Sequence, residues 1–387
     1  MEILTKYKYS MMAFLSNISI SLLIILQIFI LLISANSAIA SINSRDMLYS
    51  PLKEKFEKNG FYYMSNNENS VEEVSSILGS DVNITSASIY SDEKIFYTVL
   101  PDEIFDKLDL PLASGSKFKS SSSDGLPKLI VSANDEGITT GDIVSDANGN
   151  KYEIAAALTD QSYLLNFSGW DIDMTYEELY YPLDIKYEPY AHLYTCESQI
   201  KNLDLCYDLS YDGRGVIVNY DSSVSEAQIQ SDMKNLSEYG SVTSNKDIVR
   251  RSNALLTDDI KKMLPPVAAF GIIVLIGIIS CGVITSKNMT YKLSIMYCCG
   301  ASKKDCIKIN SGAMLILLII GLIAFGITAF MLNGSSIANT YGLTFNKNNV
   351  LLTAAITALF AAISIAVPGI LLSKNNIYET LKNEKDG

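Results

Sequence analysis

Four stretches of this chain, 17–36, 265–285, 311–332 and 350–373, contain no Asp, Glu, Lys, Arg or His. Each is at least 20 residues long, so as a helix each reaches about 30 Å, the thickness of a bilayer core. A buried helix in a water-soluble protein seldom stays apolar for that length. The sequence therefore predicts a membrane protein with four transmembrane α-helices and a large α/β extracytoplasmic domain between helices 1 and 2. The expected boundaries are 1–40 for the N-terminus and first helix, and 41–262 for the outer domain with its stalk. Helices 2–4 take 263–373, with a loop at 286–310, and 374–387 form a tail. The first apolar run also admits a cleaved signal peptide, because Lys6 and Lys8 precede it and Ala38-Ile39-Ala40 has the small-residue pattern of a cleavage site. Its apolar stretch begins near Met11 and outlasts the roughly 7–15-residue signal core, which favours a retained helix.

Charge sets the expected orientation. With four crossings, every lysine outside 41–262 except Lys347 falls on one side, and short basic loops stay in the cytoplasm. Both termini and the 286–310 loop are then cytoplasmic, and 41–262 lies outside. Only five of the 42 acids lie beyond 41–262, leaving 37 acids against 19 bases within it, a net −18. Cys196 and Cys206 are the only cysteines in that segment, and an oxidising exterior permits a bridge between them. Cys298, Cys299 and Cys306 fall on the cytoplasmic side and Cys281 in a helix.

Within the outer segment, Asn148-Gly149 between two runs of branched apolar residues predicts a β-hairpin whose tight turn needs positive φ at both central residues. Asp146, Asn148 and Asn150 alternate as in a calcium loop. Lys151 stands where that loop needs Gly, and Ala157 where it needs Glu, so the hairpin is preferred. Residues 215–242 read as strand, helix, strand, with Ser225 capping the helix. Residues 71–78 read as a helix, 88–100 as a strand pair and 120–123 as a loop tip. The stretch 173–196 holds six tyrosines. Tyr176, Tyr180, Tyr181, Tyr187 and Tyr190 make a candidate ligand surface for a cationic or peptide ligand, against the plainer reading of core residues on strands. Ile248, Leu255, Leu256, Ile260 and Leu264 predict a stalk helix with one apolar face, bending at Pro265-Pro266.

Catalytic and nucleotide motifs are missing. There is no GxxxxGK[ST], no HExxH and no GxSxG, and His192 is the single histidine. No catalytic, cofactor or metal residue is assigned, and no nucleic-acid partner is expected. The apolar runs carry no ionisable group for an ion pathway; Gln27 is their most polar side chain, suited to an interhelical hydrogen bond. Ala354, Ala358, Ala362 and Ala366 repeat every four residues along the last helix, and Gly271, Gly277 and Gly282 lie on the second. Such small residues let helices approach closely, for bundle packing or dimerisation.

One helix, a large outer domain, then three helices with a basic loop resembles the MacB/FtsX-type permease subunits of ABC transporters. The loop YKLSIMYCCGASKKDCIKI carries the resemblance: Leu293, Ile295, Met296, Gly300, Ala301, Ser302, Lys303 and Lys304 match the family pattern. Lys292 stands where the family often has Glu, and Tyr297 where it often has Arg. The tail 375–384 resembles the family ending, with Leu381 and Lys382 in its last two places and Ile377 in place of proline. In the outer domain, 139–158 resembles the family's Gly-Asp hairpin preceding a strand.

The resemblance implies a multi-pass protein of the bacterial cell membrane, not itself an enzyme. It implies that 286–309 form a coupling helix and turn. Leu293, Met296, Tyr297 and Gly300, at i, i+3, i+4 and i+7, would make an apolar edge for a dimeric cytoplasmic ATPase subunit that holds ATP and Mg²⁺ itself. The neighbouring lysines would steer an acidic surface or hold membrane lipid. A second permease chain, identical or related, would complete the complex. The work expected is mechanotransmission that exports or displaces peptides, antibiotics or lipoproteins. The alternatives are a division-type signalling permease that activates a cell-wall hydrolase, and a receptor or immunity protein that binds an extracellular peptide without an ATPase.

Overall fold

A computed structural model describes residues 8–12, 15, 18–66, 70–78, 82–91, 95–110, 112–121, 125–132, 137–146, 148–159, 161–167, 169, 173–184, 191–201, 203, 209–332 and 347–374. The chain divides into two compact units: Met1–Ser41 with Ile260–Gly387, and Ile42–Asp259.

The first unit is helical. It takes its residues from α1 (Ile18–Phe56), α6 (Asn245–Cys298), α7 (Lys303–Leu332) and α8 (Lys347–Lys374). All four helices are long and apolar enough to cross a membrane. Ile24, Ile28, Leu31 and Leu32 of α1 repeat at helical spacing and pack against Val274 and Ile278 of α6, Met314, Leu317 and Leu318 of α7, and Phe360 of α8. The outward faces are apolar too, with Leu22, Leu26, Ile272, Ile276, Ile319, Ile323 and Leu359 exposed. Helices apolar all round suit a non-aqueous surrounding.

Small and polar residues set the close approaches. A Cβ added at Gly277 would lie 2.6 Å from Gln27 Oε1, so glycine there lets α6 sit against α1. Gly282 packs on Val367, whereas Gly271 has nothing within 4 Å. Ala354, Ala358, Ala362 and Ala366 are all on the exposed side of α8; they do not pack the bundle, because α8 turns Phe360 and Ser364 inward instead. Polar pins tie the helices together. Asn36 Nδ2 donates to Thr353 Oγ1 at 2.9 Å, and Asn349 Nδ2 donates to the Asn36 carbonyl at 3.0 Å. Asn310 Nδ2 donates to Ser286 Oγ at 2.5 Å. Such bonds between helices fix their register.

The second unit is a mixed α/β domain. Its elements are β1 (Gly60–Ser65), α2 (Ser70–Leu78), β2 (Asn83–Ser91), β3 (Ile95–Leu100), α3 (Asp102–Lys107), β4 (Leu112–Gly115), β5 (Lys128–Val131), β6 (Ile143–Ser145), β7 (Lys151–Leu158), β8 (Gln161–Leu165), β9 (Tyr180–Asp184), β10 (Ala191–Cys196), α4 (Glu197–Ile200), β11 (Leu209–Asn219), α5 (Glu226–Leu236) and β12 (Gly240–Ser244). The large sheet runs β12-β1-β11-β2-β3-β10-β5-β7-β4, with β6 also on β7. Its first four strands come from two interleaved units, β1-α2-β2 and β11-α5-β12. This is the split βαβ, ferredoxin-like arrangement, and the segment between β2 and β11 extends the same sheet.

Period-two alternation buries both faces of that half. Phe61 and Tyr63 of β1, with Val216 and Val218 of β11, meet Val74 of α2 and Ile229 and Leu236 of α5. Tyr62, Met64 and Ile217 point the other way, into a core with Leu52 and Phe56 of α1 and Ile248 of α6. The expected strand-helix-strand over 215–242 is present, and Ser225 Oγ accepts from the Gln228 N–H at 3.3 Å as the cap. The 71–78 helix and the 88–100 strand pair appear as α2 and β2–β3.

One expectation, that of the turn, is corrected. The β6–β7 hairpin forms, with Ile143 opposite Glu153, but only Gly149 takes a positive φ, 81°. The Asp146 carboxylate, not a second left-handed residue, closes the turn by accepting from Asn150 N at 2.8 Å and Tyr152 Oη at 2.9 Å. On the stalk stripe only Ile248 is buried, while Leu255, Ile260 and Leu264 are exposed, since no described element covers that side of α6. The helical span of α6 also runs through Pro265 and Pro266 without ending.

Gly215 lies where β11 shifts register between Asp212 and Val216. A Cβ there would stand 1.8 Å from Tyr62 Oη and 2.4 Å from the Phe167 carbonyl oxygen. Tyr62 Oη donates to that carbonyl at 2.7 Å, holding Phe167 at φ 54°. Gly215→Ala is expected to cost about 2–3 kcal/mol by overpacking and by breaking this bond, read as a lower melting temperature of the full chain.

Candidate functional site

The basic stretch that most resembles a docking element folds as a helical hairpin. The helix α6 continues to Cys298 and α7 begins at Lys303; 286–298 are its extension, and no separate coupling helix forms. The turn is built by its sequence. Gly300 has φ 94°, the Ala301 N–H reaches the Met296 carbonyl at 2.9 Å, and the Gly300 N–H reaches that of Tyr297 at 3.0 Å. Those two bonds end α6 as a Schellman motif. Ser302 then starts α7: its Oγ accepts from the Asp305 N–H at 3.2 Å and donates to Asp305 Oδ2 at 2.8 Å.

Packing sorts the expected docking residues into two groups. Met289 and Leu293 of α6 bury against Cys306, Ile309 and Ala313 of α7, and Met296 packs on the same cluster. Leu293 and Met296 therefore close the hairpin, and do not share an open edge with Tyr297. Tyr297 is 46% exposed; Gly300, Ser302, Lys303 and Lys304 are also exposed, and Ala301 is half-buried. The structure adds Ile295, 43% exposed, together with Cys298 and Cys299. The tip thus exposes Ile295 and Tyr297, on different sides of α6, together with Lys292, Lys303, Lys304 and Lys308. The sequence predicts only the stripe 293/296/297/300; Ile295, Cys298 and Cys299 emerge as an exposed side because α7 covers Leu293 and Met296.

The tyrosine-rich region behaves differently from the expected ligand surface. Tyr176 and Tyr180 are buried and belong to the main core, because the strand and turn that carry them lie under α1 and α6. Tyr181 pairs with Leu164 across β8–β9, and Tyr187 and Tyr190 lie outside the described residues. The segment forms a strap between two helices. The Tyr176 ring is 4.7 Å from that of Tyr49 and 5.2 Å from that of Phe56, both on α1. Its N–H donates to Ser252 Oγ of α6 at 2.9 Å. Arg45 of α1 pairs with Glu177 at 3.2 Å and with Asp259 of α6 at 2.7 Å. Tyr180 Oη donates to the Leu48 carbonyl at 2.5 Å.

Cys196 ends β10 and is buried; burial, then the nearby Asp102 carboxylate, pushes its thiol up to about 12. Its expected partner, Cys206, lies outside the described residues. Among the described residues no group of three or more His, Cys, Asp or Glu is placed to hold a metal. A comparison of the chain with protein-family models and with curated proteins finds no match to either.

Proposed function

We propose that the chain is the permease subunit of a MacB/FtsX-type ABC transporter, acting by mechanotransmission with a separate, dimeric ATPase. The observation that carries this reading is the hairpin tip between two membrane-length helices, which exposes Tyr297 and four lysines. A basic rim favours an acidic partner surface and speeds encounter with it. In this reading the tip and both termini are cytoplasmic, the acidic domain lies outside, and the partner binds ATP and Mg²⁺. Movement of the tip passes along α6, and the strap at 173–180 carries it into the sheet domain. A second permease chain meets the exposed alanine face of α8. The outer domain then exports or displaces peptides, antibiotics or lipoproteins at the outer face.

The test is copurification of the full chain with an ABC-type ATPase from the membranes of its own source cells. Joint Lys303→Glu and Lys304→Glu changes are expected to lower recovery of the ATPase at least about tenfold, since reversed charge at an interface repels instead of attracting. Gly300→Val, which strains the left-handed turn, is expected to do the same. An undiminished complex in both variants would overturn the reading.

A further inference from the structure

An open cleft of about 470 Å³ lies in the sheet unit beside β2, β3 and α4. That is within the roughly 300–1,000 Å³ of small-ligand sites. Tyr90, Ile200 and Leu203 bring some apolar surface to a mostly polar lining, and Glu197 and Lys201 bring one charge of each sign. Asp102 also lines it, but its two carboxylate oxygens accept from the backbone N–H and the hydroxyl of Ser198.

Glu197 and Lys201 are four residues apart on one turn, the usual spacing of a helical ion pair. Here they do not pair, and among the described residues neither has a hydrogen-bond or ion-pair partner. Burial, then the Asp102 carboxylate, raises the Glu197 carboxyl above its ordinary range. An arriving ammonium group relieves that cost.

We propose that this cleft binds a zwitterion with an apolar side chain, a free α-amino acid or a short peptide held by its ends. The ammonium group meets Glu197, the carboxylate meets Lys201, and the side chain lies on Tyr90, Ile200 and Leu203. Two free charges of opposite sign beside that apolar surface match that chemistry better than a simple cation or anion. The site stands independently of any ATPase partner.

Calorimetric titration of the full chain in detergent micelles tests it with four probes: leucine, leucyl-leucine, N-acetylleucine and leucinamide. Leucine or leucyl-leucine is expected to bind saturably, and the better of the two identifies a free amino acid or a peptide as the source. Blocking either end is expected to weaken binding at least about tenfold, since that end then loses its charge-assisted hydrogen bond to Glu197 or Lys201. Glu197→Gln should erase the difference between leucine and N-acetylleucine, and Lys201→Met that between leucine and leucinamide. If no zwitterion binds, or the blocked forms bind as well as leucine, the proposal is wrong. The blocked probes decide the matter on the native chain even where a variant fails to fold.

Discussion

Raising the pH from about 9 to about 11 is expected to unfold the sheet unit in one cooperative step. Its nine buried tyrosines include seven, at 62, 63, 152, 176, 180, 194 and 220, that carry this response. Burial raises the proton affinity of every one of these phenols. Carboxylates add to it at Tyr63, Tyr152 and Tyr220, whose hydroxyls donate to Glu73, Asp146 and Asp232. Tyr176 is pushed up to about 12, and the others in the same direction. The phenol is neutral in the folded state, so its stabilising share is whole below the unfolded value of 10.0. That share is lost progressively as the pH climbs above 10.0 toward the folded value, and is gone once that value is passed. Each such tyrosine removes about 1.4 kcal/mol per pH unit in that window. Seven together exhaust the roughly 5–15 kcal/mol of a typical domain within about two units. Circular dichroism and tyrosinate absorbance, followed together against pH, should change at the same point. Tyrosines that ionise one by one near pH 10 in a domain that stays folded would contradict the packing described above.

The tyrosines also show where the sequence could be read and where it could not. Alternation in Phe61-Tyr62-Tyr63-Met64 marks a strand, but a strand buried on both faces looks like an unbroken apolar run. Nothing local says that Tyr62 faces the α1 core and Tyr63 the α2 and α5 side. The split βαβ half was legible at its C-terminal end, where Ser225 and the stripe of Ile229 and Leu236 define a helix between strands. Its N-terminal partner is separated from it by more than a hundred residues of inserted sheet, and that pairing, β1 with β11, is set by topology rather than by periodicity. The four long helices needed only length and apolarity. Which of their faces turn inward needed the pins at Asn36, Asn310 and Asn349, residues that composition alone marks as helix ends.

At the hairpin the turn was written in the sequence, since Gly300 and Ser302 have one natural role each between two helices. The face was not. An i, i+4 stripe identifies an apolar edge, yet the same edge serves equally well to close the hairpin as to meet a partner. Leu293 is chosen for the first role because Cys306 and Ile309 stand opposite it, and only Tyr297 of the anticipated stripe keeps an exposed side chain.

The strap at 173–180 supplies the other large effect. Tyr176→Ala is expected to destabilise the sheet unit by about 3–5 kcal/mol, the usual cost of removing a buried aromatic ring. The ring fills the space between Tyr49 and Phe56, so its loss loosens the hold on α1, while the backbone N–H that binds Ser252 of α6 is kept by alanine. Arg45→Met tests the polar half. It leaves Glu177 and Asp259 without their shared cation, at about 1–3 kcal/mol for groups that are only partly buried. Because Glu177 acts through Arg45, Glu177→Gln should cost less in the Arg45→Met background than alone. Melting of the full chain measures all three. If Tyr176→Ala melted like the native protein and altered only ligand binding, the tyrosines would be a binding surface after all. A cost on the expected scale makes them the joint through which two helices grip one ribbon. A shift of α1 against α6 then has to move β9, which begins at Tyr180, and with it the β8–β9 ribbon.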